Sequence, residues 1–252
     1  MRWVFYSVIA LVTLVVVVPL VILAVVCAQA WPELPDLDPL TNYQQLGEER
    51  RVIVKIENVP DRLKQALVAA EDERFYEHMG IDLSGVVRAA LANLRGKRQG
   101  ASTITQQVAR NYLALSRVRM IDRHLYELLL PLKIERNFSK DQILEIYINQ
   151  IYLGQRAHGF EAAAQTYFGK SLGELSLAEI AMLAGLPKAP SMLNPITNPK
   201  RAKERQAYVL ERMRDLRFID EAAYQAAREE PLQVVSKDAA RDDSGVPGSE
   251  TP

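Results

Sequence analysis

The chain has 252 residues, enough for one sizeable domain plus extras, of which 48% are hydrophobic and 25% charged. Its 31 basic and 31 acidic side chains cancel, so nothing in the overall charge points to a nucleic-acid partner. A single cysteine, Cys27, excludes an internal disulfide framework and, with only three histidines, makes a Cys/His zinc site implausible.

In chain order, residues 3–32 carry no charged side chain, a run long enough to cross a bilayer as a helix. Pro19 falls inside it, which membrane helices tolerate better than soluble ones. Arg2 precedes the run and Glu33, Asp36 and Asp38 follow it, so the positive-inside rule puts the N-terminus in the cytoplasm and the rest outside. Ala28-Gln29-Ala30 has the form of a cleavage site, which leaves a cleaved signal peptide as the rival reading; Trp31 reads as an interfacial anchor. Residues 31–50, with Pro32, Pro35 and Pro39, read as an extended linker. RVIVKIE, residues 51–57, alternates enough for a short strand.

The rest reads as helix after helix. Asp61 caps residues 62 to about 77, Asp82 precedes a helix ending near 95, and residues 103–114 and 121–137 form two more. Ser139 with Gln142 makes a capping box for a helix to about 149, and Ser176 with Glu179 makes another for 177–186. Asn198-Pro199 opens a helix to about 216, and a last one spans about 220–228. After Pro231 the sequence has almost nothing to bury and reads as disordered. The predicted organisation is a mainly α protein: a transmembrane anchor at 1–30, a linker at 31–50, a helical domain at 51–230 and a tail at 231–252.

The chemistry concentrates between Glu71 and Asn111. On a continuous helix Glu71, Phe75 and His78 share one face, with Glu71 at the end of the apolar run Ala66 to Ala70. A carboxylate held against apolar surface has its pKa raised, which suits it to proton transfer. The alternative is that Glu71 and Asp72 belong to a solvated charge run, EDER. A basic, glycine-punctuated loop (Gly96, Lys97, Arg98, Gly100) and a polar helix start from Ser102 to Gln107 follow. Further on, Arg123 and Glu127 stand one helical turn apart and are placed to pair, and Pro131 predicts a bend beside that glutamate. Lys188 lies in a proline-rich loop, Leu186-Pro187-Lys188-Ala189-Pro190-Ser191.

The series Glu71-Asp72-x-x-Phe75-x-x-His78-x-Gly80-x-Asp82, then Gly100-Ala101-Ser102-Thr103-Ile104-Thr105-Gln106-Gln107, resembles the first two signature motifs of the peptidoglycan glycosyltransferases of family 51. Matches follow in order at Arg123-His124-Leu125-Tyr126-Glu127, at Asn149-x-Ile151-Tyr152-Leu153-Gly154 with Gly159 to Lys170, and at Leu175 to Asn194-Pro195, so the resemblance covers roughly residues 50 to 230. It implies a lysozyme-like helical domain that joins the lipid-linked disaccharide lipid II to a nascent glycan strand, releasing undecaprenyl pyrophosphate and inverting the anomeric centre. It implies Glu71 as the general base and Glu127 as the second essential carboxylate. Glu127 then either orients basic residues such as Arg123 or binds a divalent cation, Mg²⁺ or Mn²⁺, for which Asp72 is the other candidate ligand.

Substrate contacts are implied for Asp72, Phe75, His78, Gly100, Ser102, Thr103, Gln106, Gln107, Arg110, Asn111, Arg123, Lys140, Lys188 and Asn194, with Arg201 a lesser candidate for the phosphates. The family pattern has lysine where this chain has His124, a departure that removes a charge at neutral pH. The segment from Leu186 to Leu232 is similar to the glycosyltransferase half of a bifunctional class A penicillin-binding protein, yet no Ser-x-x-Lys transpeptidase motif occurs in this sequence. A naturally short enzyme, one truncated from a bifunctional synthase and one completed by a separate transpeptidase or other cell-wall synthesis protein all stay open, and nucleic acid is not an expected partner. Two rivals remain: a lytic, lysozyme-like hydrolase and a non-catalytic scaffold of a cell-wall synthase.

Overall fold

A computed structural model describes residues 6, 17–41, 52–96, 100–115 and 120–235. Ten helices among them carry the argument: α1 Val18–Ala30, α2 Asp61–Glu71, α3 Leu83–Leu94, α4 Ile104–Leu115, α5 Met120–Asn137, α6 Lys140–Gln150, α7 Phe160–Phe168, α8 Leu177–Gly185, α9 Pro199–Asp215 and α10 Glu221–Glu229. The described residues contain no strand; the only β-type pairing among them is a bridge between Tyr152 and His158. The mainly α expectation therefore stands. The anchor prediction falls partly on residues 7–16, outside the described ones, and among the described residues no helix is long and apolar enough to cross a membrane.

Two groups of helices build the core. In one, α2, α8 and α9 pack on one another; in the other, α5 and α6 both pack against α4. Leu63, Ala66 and Leu67 of α2, Ala181 and Ala184 of α8, and Val209 and Leu210 of α9 have no exposure. Alanines at these crossings let helix axes approach closely, and branched side chains fill what remains. Both expected capping boxes, Ser139 with Gln142 and Ser176 with Glu179, are formed in both directions. α7 is a helix that periodicity did not single out; its alanines lie between Gly159 (φ 85°) and Gly169 (φ 64°), conformations that L side chains avoid.

Three expectations are corrected. Residues 52–55 are not a strand: the side-chain amide of Asn149 donates to the carbonyl of Val54 at 2.8 Å and accepts from its N–H at 2.8 Å, while Glu145 accepts from Ile56 N. Side chains of α6 thus satisfy the backbone that a neighbouring strand would have paired. Residues 31–41 are not a free linker. Leu34, Leu37 and Leu40 are buried, Lys133 Nζ donates to the carbonyls of Leu34 and Pro35, Tyr112 donates to Asp36 O, and Gln150 donates to Leu40 O. Arg136 lies over the Trp31 ring at 4.6 Å, and α1 itself packs on α5. At the other end, residues 231–235 lie against the domain, with Val235 N donating to Tyr167 O and Leu232 and Val234 packed on the core; residues 236–252 lie outside the described ones.

α3 stands apart. Only Gly85 and Ala89 of it are buried, whereas Leu83, Val87, Leu91 and Leu94 are exposed along one side.

Candidate active site

The helix that carries Glu71 stops there rather than continuing to 77. Asp72 leaves helical geometry (φ −160°, ψ 76°), and the chain turns through residues 73–80. What holds it is a set of bonds to the Asp72 carboxylate. His78 Nε2 lies 3.0 Å from both its oxygens, and Ile104 N–H, the first of α4, donates to one at 3.0 Å. A carboxylate at a helix N-terminus satisfies an orphan N–H and complements the helix dipole. His78 Nδ1 accepts from Gly80 N at 3.2 Å, which places the imidazole proton on Nε2, where it donates to Asp72. Gly80 has φ 88°, and a Cβ there would stand 2.9 Å from the carbonyl oxygen of Pro131. Thr103 donates to Gly80 O at 2.6 Å and forms a reciprocal capping box with Gln106 at the start of α4. The two motif stretches, 71–82 and 100–107, are therefore one stitched unit.

Glu71, Phe75 and His78 consequently do not share a helix face. Phe75 is fully buried in the core, with Lys140 Nζ 4.6 Å above its ring. Lys140 is bound to Glu135 at 2.7 Å, and Thr105 donates to the same Glu135 oxygen. Asn194 is buried and its side-chain oxygen accepts from Ile196 and Thr197 N–H, an Asx turn. These positions, with Gln106 and His78, shape the domain rather than face open space. Arg110 and Asn111 do not line the cleft described next, and neither does half-buried Glu127. His124 is exposed on α5, and α5 runs on through Pro131. The side chain of Arg123 lies outside the described residues, and the expected Arg123–Glu127 pair with it.

A cleft of about 900 Å³ is lined by the end of α2, the start of α3, residues 100–103, Gln107, Lys188 and one face of α9. It gathers Glu71, Asp72, Gly100, Ser102, Thr103, Gln107, Lys188 and Arg201 of the expected residues. Of the α9 face the sequence reading singles out Arg201 alone; Arg205, Tyr208 and Arg212 follow it at spacings of four, three and four, one stripe of a helix. Arg205 is the important member. Its guanidinium donates to Glu71 Oε1 at 3.1 Å and to Ala70 O at 3.4 Å, and lies 4.5 Å over Tyr208. Both side chains of the Glu71–Arg205 pair are 10% exposed. Gln107 Nε2 donates to the other Glu71 oxygen at 2.9 Å.

Burial pushes the Glu71 carboxyl above its ordinary pKa, against the Gln107 hydrogen bond and the charges of Arg205 and Lys188. Nearby, Glu73 is clasped by Arg88 from α3 and Arg212 from α9, which ties the outlying helix to the domain. Asp82, the cap of α3, sits below the usual carboxylate range: its burial is outweighed by bonds from Gly85 N–H and Ser84 and by the charge of Arg74. Lys188 and Arg201 line the cleft and are exposed.

A family model described as Transglycosylase matches residues 38–214. The chain belongs to the transglycosylase family. The match begins inside the stretch read as linker, where Leu40 is fully buried. This transglycosylase is 52% identical over 210 residues to penicillin-binding protein 1A of Neisseria flavescens, a match covering 76% of this chain and 26% of that protein. It is 52% identical over 227 residues to a Cupriavidus necator protein described as a transglycosylase, covering 90% and 96%. The crystal structure of penicillin-binding protein 1A from Haemophilus influenzae aligns at 35% identity and a TM-score of 0.47, over 75% of this chain and 19% of that one. The chain thus spans about a quarter of the N. flavescens penicillin-binding protein.

The residues do not fit a cation at Asp72, since His78 and the Ile104 N–H already occupy its oxygens. Among the described residues no group of three or more His, Cys, Asp and Glu could hold a metal ion.

Proposed function

We propose that this transglycosylase polymerises lipid II into β-1,4-linked glycan strands, with Glu71 as the general base. The observation that carries this reading is a buried carboxylate at the floor of a large cleft, gripped from two sides and faced by cations. A sugar hydroxyl is a weak nucleophile at neutral pH, so a positioned base is needed. The 4-hydroxyl of the acceptor sugar forms a bond to the donor anomeric carbon while its proton passes to Glu71. The bond from that carbon to pyrophosphate breaks, its electron pair leaves on the pyrophosphate oxygen, and the centre inverts from α to β.

Burial supports the base role by making Glu71 a stronger proton acceptor than a solvated carboxylate. Pyrophosphate leaves as a stable anion and needs positive charge rather than a proton; exposed Lys188 and Arg201 on the cleft wall suit that task. Glu127 as the second carboxylate and Arg123 as its basic partner rest on the motif. The uncharged run at 3–32 supports a single membrane anchor with the domain on the outer face.

The test is turnover of purified lipid II in detergent by the wild type and Glu71→Gln. Polymer from the wild type, and a loss of at least about 100-fold in the variant with retained lipid II binding, is expected. Residual turnover within tenfold of wild type would assign the base elsewhere, and cleavage of preformed polymer would make the enzyme a hydrolase.

A further inference from the structure

Behind Gln107 lies a buried titratable group that the reaction above does not use. Tyr147, on α6, is 1% exposed, and its hydroxyl lies 3.3 Å from Gln107 Oε1. Gln107 in turn passes its Nε2–H to Glu71 Oε2 at 2.9 Å. The three side chains form one chain of hydrogen bonds from the core to the floor of the cleft.

A glutamine amide has two nearly equal shapes that differ by exchange of its oxygen and nitrogen. With nitrogen toward Glu71 it stabilises the ionised carboxylate, the form able to take a proton. With oxygen toward Glu71 it repels that form and instead accepts from a protonated carboxyl. The choice between the two shapes therefore shifts the balance between the ionised and protonated carboxylate, beside burial and the charges of Arg205 and Lys188. Among the described residues Gln107 Oε1 is the acceptor placed for the Tyr147 hydroxyl. A flipped amide would donate to the phenol oxygen instead and leave the hydroxyl proton buried with no acceptor, so the observed orientation is favoured by the cost of that one unsatisfied donor.

We infer that Tyr147 is a positioning residue: its hydroxyl holds the Gln107 amide with the nitrogen turned to Glu71, keeping that carboxylate ionised and ready to act as base. The inference rests on the reading of Glu71 as the base. The other charged groups facing Glu71 are Arg205 from α9 and Lys188, and Arg205, Asp72 and Arg110 of α4 face Tyr147. None of these distinguishes the two ends of the Gln107 amide as the hydroxyl does. Burial holds the Tyr147 phenol well above its ordinary pKa, so it remains a donor across the working range.

The test is Tyr147→Phe, which removes one oxygen and keeps the ring in its place beside Phe160. The pKa of Glu71 is read directly as the carboxyl infrared band that disappears in Glu71→Gln, and separately as the acid limb of kcat/KM. Both should rise by about half to one pH unit, the worth of one hydrogen bond expressed as a pKa shift, with the loss of rate concentrated at low pH. Gln107→Leu should also raise the value, and adding Tyr147→Phe to it should move nothing further, because the hydroxyl acts only through the amide.

An infrared pKa unmoved in Tyr147→Phe, or shifts that add in the double variant, would overturn the inference. A shifted infrared pKa with a stationary acid limb would uphold the positioning and remove Glu71 as the base, so the two failures are distinguishable.

Discussion

Removing Arg205 while keeping its bulk, as in Arg205→Met, would strand Glu71 in the cleft floor without its cation. The pair is 10% exposed on both sides, so solvent screens it little. The penalty has a ceiling, because the stranded carboxylate can protonate. Each pH unit above the ordinary glutamate value adds about 1.4 kcal/mol to that ceiling, giving about 4 kcal/mol at pH 7.5 and about 1 kcal/mol at pH 5. The sign follows from the direction of the Glu71 shift. A carboxyl with a raised folded-state pKa favours the folded protein below its unfolded pKa and loses that contribution as pH rises through the folded value.

Loss of Arg205 raises the folded value further, so the variant should be weakest at high pH and recover on acidification. Thermal unfolding followed by circular dichroism should show a Tm drop on the order of 10 °C at pH 7.5 for a chain of this size. A much smaller drop is expected at pH 5. A pH-independent contribution of about 1–2 kcal/mol comes from the lost bonds to Ala70 O and Gly185 O and the stacking on Tyr208. Glu71→Gln in the Arg205→Met background should restore most of the pH-dependent part. Equal losses at the two pH values, or no rescue in the double variant, would refute the electrostatic account.

Phe75→Ala should cost about 3–5 kcal/mol in chemical denaturation, since the ring is fully buried, and should mark the position as core rather than substrate contact. Leu37→Ala should cost about 2–4 kcal/mol although the sequence around it reads as linker; a null effect would mean residues 31–41 do not dock. Gly80→Ala should lower stability and activity together, because a Cβ at φ 88° meets Pro131 O at 2.9 Å and pulls on the 71–82 turn.

What was legible in the sequence was whatever a few neighbouring residues decide. The capping boxes at Ser139 and Ser176 work through side chains three positions apart, and both formed. Thr103 and Gln106 obey the same rule, a cap that lies inside a stretch whose motif points to substrate contact. The end of α2 was not legible: Asp72 is pulled out of the helix by His78 and Ile104, the latter 32 residues away. The strand at 52–55 failed for a similar reason, since its partner is the side chain of Asn149 rather than another strand. Arg205 lies 134 residues from Glu71, so no local pattern pairs them. The basic stripe on α9 was nevertheless present as spacing and marks a face that a cleft would use.

The docking of residues 31–41 changes what kind of joint precedes the catalytic helices. A flexible spacer lets the bodies it joins wander by a distance that grows with the square root of its length. Here α1 rests on α5, the backbone carbonyls of Leu34, Asp36 and Leu40 are held by Lys133, Tyr112 and Gln150, and Leu34, Leu37 and Leu40 are buried, so the joint is a bracket rather than a leash. Tilting α1 then tilts the mouth of the cleft with it. Whatever fixes the angle of that apolar helix also orients the domain that carries Glu71.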